Sequence, residues 1–274
     1  MVLDGVVDPI AFADGTVESI ARSIADADLV FDKFQSLCQS AGQARCDLAG
    51  RGPVAPRVRR LLARLRRAPI GKLTYGDALI VLWARLGAPK QWPELATDLD
   101  KAARGDGSAL ESAARGVKAF VEPALDSAVE LQCADKPFPP HPGPQDWPKV
   151  IGRLSDVSFI SAPVNGWLLW APCASWRVRG ADRYTGPWNA FTKNRILVIG
   201  TRFDPNTAFA NAVRAASRLG NAVLLTHDGY GHTSDADPST CIERATSAYL
   251  VNLVTPPKGT KCPSNQRPFD PNFN

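Results

Sequence analysis

RILVIGTRFDPNT (195–207), followed after a helix-like segment by AVLLTHDGYGHTS (222–234), is the stretch that decides how this chain is read. ILVIG and AVLLT are continuously apolar, as parallel strands covered on both faces are. Each leads to a side chain able to handle protons, Asp204 after the first and His232 after the second. In open α/β sheets, ligand and catalytic groups sit beyond the carboxyl ends of the strands, which is where both residues fall. The 28 positions between them (232 − 204) are enough for one crossover helix and one strand. An aspartate that orients a histidine acting as general base is two thirds of a Ser–His–Asp constellation. Where the chain order is Ser, Asp, His, the serine lies upstream on a tight Gly-x-Ser-x-Gly turn. No glycine here is followed two positions later by serine or cysteine, so this chain holds no nucleophile of that kind.

Neither member is decisive alone. An aspartate at a strand–helix junction is commonly a cap, and a loop histidine is commonly a surface residue. Pro205 fixes the backbone after Asp204, and Asn206 or Thr207 is the expected cap of the following helix. Gly229 and Gly231 permit a sharp, exposed loop around His232. An imidazole titrating near ~6.5 suits general-base work at neutrality. The joint pattern is far more specific than its parts. His227, with Asp228 beside it, is a weak metal partner for His232, because one would end a strand and the other occupy a loop. No metal and no cofactor is expected. His141, in a proline-rich connector, reads as a solvated loop residue.

The bulk composition is that of a globular protein, 45% hydrophobic and 22% charged over 274 residues. That length suits one large domain or a core with an insertion. The net charge of +5 owes much to RVRRLLARLRR (57–67). As a helix, this run places Val58, Leu61, Leu62 and Leu65 on one face and its arginines on the other. A solvated face on a packed helix explains it better than a nucleic-acid or membrane-surface site. No apolar run is long enough for a transmembrane helix. The six cysteines (Cys38, Cys46, Cys133, Cys173, Cys241, Cys262) include no Cys-x-x-Cys pair, so structural zinc spacings are absent. Disulfides in an oxidising compartment are the better account. Of the pairings open to six cysteines, Cys38–Cys46, Cys133–Cys173 and Cys241–Cys262 are preferred. The first and last close short loops, and the middle pair ties segments flanking tryptophan-rich sequence. Export calls for a leader, yet MVLDGVVDPIAF lacks a basic start and is broken by Asp4 and Asp8. The expectation is that the natural N-terminus lies ahead of Met1.

Residues 1–8 read as a buried strand, and from about Ala13 to Asp146 the pattern is helical. LTYGDALIVLWARLG has an N-cap at Thr74 and a stop at Gly87. WPELATDLDKAARG and SALESAARGVKAFVEPALDSAVEL are divided by the turn-prone GDG at 105–107. DKPFPPHPGPQDWP (135–148) is an extended connector, and helical spacing then resumes before the strand at Arg195. The division is 1–12 core strand, 13–146 helical insertion, and 147–274 C-terminal core with the acid and base. Strands alternating with helices predict a parallel sheet with right-handed crossovers.

MVLDGVVDP, LTYGD, WPELA, the Cys-x-Asp of Cys133 and Asp135, PCASW (172–176), YTGP, ILVIGTRFDPNT, DGYGH, Cys241 and Cys262 occur in order along almost the whole chain. In this set the chain resembles the C-terminal part of the secreted tripeptidyl-aminopeptidase-like serine hydrolases of actinobacteria, relatives of the proline iminopeptidases. The resemblance implies an α/β fold, the C-terminal half of an α/β-hydrolase (parallel strands 6–8 with helices) plus a helical cap inserted after the sixth strand. It puts Asp204 and His232 on the acid and base positions. It implies peptide substrates with a free N-terminus, whose ammonium is held by acidic groups of the cap region, with Asp135 a weak candidate. The signal peptide, first five strands, oxyanion loop and Gly-x-Ser-x-Gly turn of such proteins all precede the segment matching Met1. The expectation is therefore a truncated chain, inert alone and poorly soluble because residues 2–7 form an unpartnered apolar strand edge. The alternative is a non-catalytic peptide-binding module, or a half complemented by a separate N-terminal chain.

Overall fold

The computed structural model describes residues 1–136, 143–178 and 180–271. His141 and most of the proline-rich connector lie outside these residues. In chain order the elements are β1 (Val2–Asp4), α1 (Pro9–Asp14), α2 (Val17–Ile24), α3 (Leu29–Ala41), α4 (Val54–Arg67), α5 (Tyr75–Leu86), α6 (Trp92–Ala103) and α7 (Ser108–Asp135). They continue with α8 (Trp147–Ser155), α9 (Ser161–Asn165), β2 (Ile196–Phe203), α10 (Phe209–Arg218), β3 (Ala222–Tyr230), α11 (Thr240–Asn252) and β4 (Lys261–Pro263). The four strands form one parallel sheet in the order β1-β2-β3-β4. This is an α/β architecture consistent with an α/β-hydrolase fold, with helices inserted between its first two strands.

The apolar run of β2 is explained by burial on both sides. Leu197 and Ile199 pack with Val223, Leu225, Ile242 and Tyr249 beneath α11. Ile196 and Val198 pack with Ala212 of α10 on the opposite face. β1 is shorter than the expected 2–7, because Gly5 turns at φ +66° and Asp8 then caps α1 through the Ile10 and Ala11 N–H groups. β4 was not foreseen. Three residues ending in proline carry no strand signal of their own, and the segment is strand only because Lys261–Pro263 lie in register with Thr226–Asp228. Cys241–Cys262 joins it to α11, and Cys38–Cys46 and Cys133–Cys173 are the other two disulfides.

The inserted helices build a core of their own around Phe34, Leu82, Trp92, Leu95 and Leu99. Thr74 and Asp77 form a reciprocal capping box at the start of α5. On α4, Val58, Leu61, Leu62 and Leu65 are all buried, but the arginines are not confined to the outer face. Arg57 is buried as well, 2.5 Å from Asp100, with a second hydrogen bond to the Leu48 carbonyl. A buried guanidinium is tolerated because its charge and donors are both answered. Residues of α8, α9 and the turns after them, including Trp147, Ile151 and Cys173, pack with Ile20 and Cys133 rather than against the sheet. The helical layer meets the sheet through Trp92, 5.5 Å from Tyr230, which stacks on Phe203 at the carboxyl ends of β2 and β3. That junction is where the candidate site lies.

Candidate active site

Asp204 leaves the end of β2 and is almost fully buried. Its Oδ1 accepts the N–H groups of Asn206 (2.8 Å) and Thr207 (2.9 Å), and its Oδ2 accepts the Thr207 hydroxyl (2.8 Å) and the Thr233 N–H (3.2 Å). This corrects the expectation that Asn206 or Thr207 caps the next helix. α10 starts later, after Ala208, and both residues instead turn their donors back onto the carboxylate. Four donors from the protein compensate its burial and fix its plane.

His232 Nδ1 lies 3.2 and 3.1 Å from the two Asp204 oxygens. Because a carboxylate only accepts, Nδ1 carries the proton in this contact and the neutral ring presents Nε2 as a base. Nε2 has no hydrogen-bond partner among the described residues, and the side chain is 39% exposed. Burial opposes a charged imidazole here. The hydrogen bond and charge of Asp204, with the charge of Asp4 added, outweigh it and raise the pKa above the ordinary histidine value. The arrangement can take a proton from a group arriving at Nε2 and hold the resulting imidazolium.

The loop around His232 is clamped rather than exposed, since Gly229 and Gly231 are both buried. A Cβ on Gly229 would come within 2.3 Å of His227 Nε2, so only glycine lets β3 pass that ring. Gly231 has φ +89°, and a Cβ there would lie 2.6 Å from Pro89 and 2.8 Å from the Gly87 carbonyl. The His232 N–H donates to that same carbonyl at 2.8 Å, at the C-terminus of α5. The inserted helices thus touch the His232 backbone directly.

His227 sits inside β3, not at its end, fully buried with Nδ1 3.2 Å from the Thr201 hydroxyl. Its Nε2 is 4.0 Å from Asp237 and makes no hydrogen bond among the described residues. Among those residues, no group of three or more His, Cys, Asp or Glu is placed to hold a metal ion. Asp135 has an exposed side chain, and its carbonyl accepts from Arg183 at 3.1 Å. Asp135 is not among the residues lining the neighbouring cavity, whose polar groups include Asp8, Gln132, Lys136, Asn165 and Asn206, beside Phe12 and Trp170. Lys136 is buried, bonds to Gln132 Oε1 (3.0 Å) and lies over the Phe12 ring, and burial lowers its pKa to about 8. Sequence reasoning missed it, because a lysine at the head of a proline-rich connector, just past the end of α7, is ordinarily solvated.

Residues 162–262 match the sequence family described as TAP-like protein. Carboxylesterase B of Mycobacterium tuberculosis is 28% identical over 277 residues, covering 96% of this chain and 51% of that protein. Serine protease Hip1 of the same organism is 28% identical over 288 residues, covering 96% of this chain and 52% of its own length. The chain therefore spans about half the length of the curated relatives it matches. With the parallel sheet, these similarities are consistent with an α/β-hydrolase fold and with relatives whose names include a serine protease and a carboxylesterase. No helix among the described residues is long and apolar enough to cross a membrane.

Proposed function

We propose that this chain supplies the acid and base of a serine hydrolase that releases short peptides from free N-termini, as the tripeptidyl-aminopeptidase-like enzymes do. The contact of His232 Nδ1 with the Asp204 carboxylate at 3.1 Å carries the reading. His232 Nε2 takes the proton of an attacking hydroxyl and later passes it to the leaving amine. Asp204 keeps the ring in the required tautomer and stabilises its charged form. The hydroxyl and the oxyanion donors are to come from a segment bearing a Gly-x-Ser-x-Gly turn, which these 274 residues do not contain. Alone, the chain is expected to be inert. The three disulfides support a secreted location.

The test is reconstitution. Purified chain is incubated with an N-terminally free tripeptide anilide, alone and with the Gly-x-Ser-x-Gly-bearing half of a relative. Background turnover alone, and reconstituted turnover abolished by His232→Ala, support the reading. Turnover that survives His232→Ala in either setting defeats it. A second reading, a non-catalytic peptide-binding module, is favoured by the cavity of about 140 Å³ between α1, α2, α7 and the Asp204 loop. Saturable tripeptide binding unaffected by Asp204→Asn, with no turnover on reconstitution, would select it.

A further inference from the structure

The turn that carries His232 is held by three acceptors from three separate elements. The His232 N–H goes to the Gly87 carbonyl at 2.8 Å, after α5. The Thr233 N–H goes to Asp204 Oδ2 at 3.2 Å, after β2. The Ser234 N–H goes to Asp4 Oδ2 at 3.0 Å, at the end of β1, and the Ser234 hydroxyl reaches the same oxygen at 2.6 Å. Between the last two, Thr233 is bent to φ +66°, a conformation an ordinary residue adopts only when its surroundings impose it. Asp4 is the outermost of these anchors, and its other oxygen, Oδ1, is shielded from solvent without a hydrogen-bond partner among the described residues. A carboxylate half satisfied at a sheet end is an expensive way to tie a turn. Ser234 could be capped by an asparagine or a water at lower cost. A negative charge placed there has a second use, because the backbone after Asp4 runs past the imidazole. A Cβ on Gly5 would stand 3.3 Å from His232 Cε1.

We propose that Asp4 is a positioning residue for His232, pinning the 232–234 turn and setting a second negative charge behind the imidazolium. The inference rests on the acid–base reading of Asp204 and His232. Burial makes the Asp4 carboxyl harder to ionise, the Ser234 hydrogen bonds oppose that, and the like charges of Asp235 and Asp204 add to it. The charge of Asp4 in turn favours the protonated form of His232. As the base takes up its proton, both carboxylates stabilise it, Asp204 by direct contact and Asp4 through space. Among the described residues, the other polar contacts of His232 are neutral: the Gly87 carbonyl from the helical layer, which takes its N–H, and the Thr207 hydroxyl at 3.5 Å from Nδ1.

The experiment is an NMR pH titration of the imidazole signals in the 274-residue chain, with His232 assigned by His232→Asn. Asp4→Asn keeps an acceptor for Ser234 while removing the charge. It is expected to lower the His232 midpoint by about 0.3 to 1 unit, and Asp204→Asn by about one unit or more. Asp4→Ser, a second neutral variant should the first fail to fold, is expected to give the same shift. Asp228→Asn, the exposed partner of Arg202, is a control that should leave His232 unmoved. An unchanged midpoint in both Asp4 variants, with Asp204→Asn still effective, overturns the role of Asp4 alone. An unchanged midpoint in Asp204→Asn overturns the acid–base reading beneath it.

Discussion

Two histidines five positions apart, one in β3 and one in the loop after it, each stand beside an aspartate, and they behave in opposite ways. His232 meets Asp204 at hydrogen-bond distance, keeps one ring nitrogen accessible, and has a raised pKa. His227 stands 4.0 Å from Asp237 with no hydrogen bond between them, is shut off from solvent, and has its pKa lowered to about 4. In the second pair burial is the larger influence, and the charge of Asp228 opposes it only weakly. Nearness to a carboxylate does not make a base. What does is a contact short enough to outweigh desolvation, with the other nitrogen left free. Asp237 spends its Oδ2 on the Tyr230 N–H and the Ser264 hydroxyl, and burial raises its pKa, so it offers His227 little.

The largest expected effect comes from opening the buried pair. Cys241–Cys262 closes a 21-residue separation and holds β4 against β3, where Cys262 pairs with His227. Replacing both cysteines by alanine is expected to cost about 3 kcal/mol in urea unfolding. The His227 midpoint should climb toward ~6.5 as water reaches it, while His232 stays put. If both histidines moved together, the two pairs would not be independent.

Next comes acid stability. A folded pKa near 4 against about 6.5 unfolded means the unfolded chain binds more protons between those limits. The His227 contribution is thus fully present above ~6.5 and is lost as pH falls toward 4, by up to about 3 kcal/mol. Asp237, raised by burial, acts in the opposite sense and offsets part of this. His227→Gln should therefore flatten the decline of unfolding free energy between pH 6.5 and 4. An unaltered slope would place the acid sensitivity elsewhere.

A smaller effect of opposite sign belongs to the other pair. The raised pKa of His232 contributes stability present below ~6.5 and lost as pH rises through the folded value. Asp204→Asn removes the contact that raises it, so the NMR midpoint should fall by about one unit or more. The smallest change is expected from Thr201→Val, which deletes the hydroxyl 3.2 Å from His227 Nδ1. It should destabilise by about 1–2 kcal/mol, by leaving a buried nitrogen unpaired, without moving the His232 titration.

The parts of this fold legible in advance are those written in local periodicity and chemistry. The continuous apolar runs of β2 and β3, the Thr74 cap and Gly87 stop of α5, and the buried stripe of α4 all follow from spacing alone. Asp204 and His232 stood out because each follows a strand, and the structure brings them into contact. What was not legible depends on partners far away in sequence. Arg57 looked solvated until Asp100 stood opposite it, and Lys261–Pro263 became a strand only beside β3. The burial of Lys136 is equally illegible, since it follows the last residue of α7 at the head of a proline-rich connector and only packing turns it inward.

From its own order of residues this chain determines that there are strands to bury, where they end, and that an acid and a histidine follow two of them. Tertiary structure alone decides that Asp4 of β1, which pairs with β2 nearly two hundred positions later, reaches Ser234. It likewise decides that His232 meets Asp204 with its other ring nitrogen left accessible, while His227 is a sealed core residue. The reason is physical: a proton affinity is set by the distance of charges and the absence of water, and both are properties of the assembled interior rather than of neighbours along the backbone.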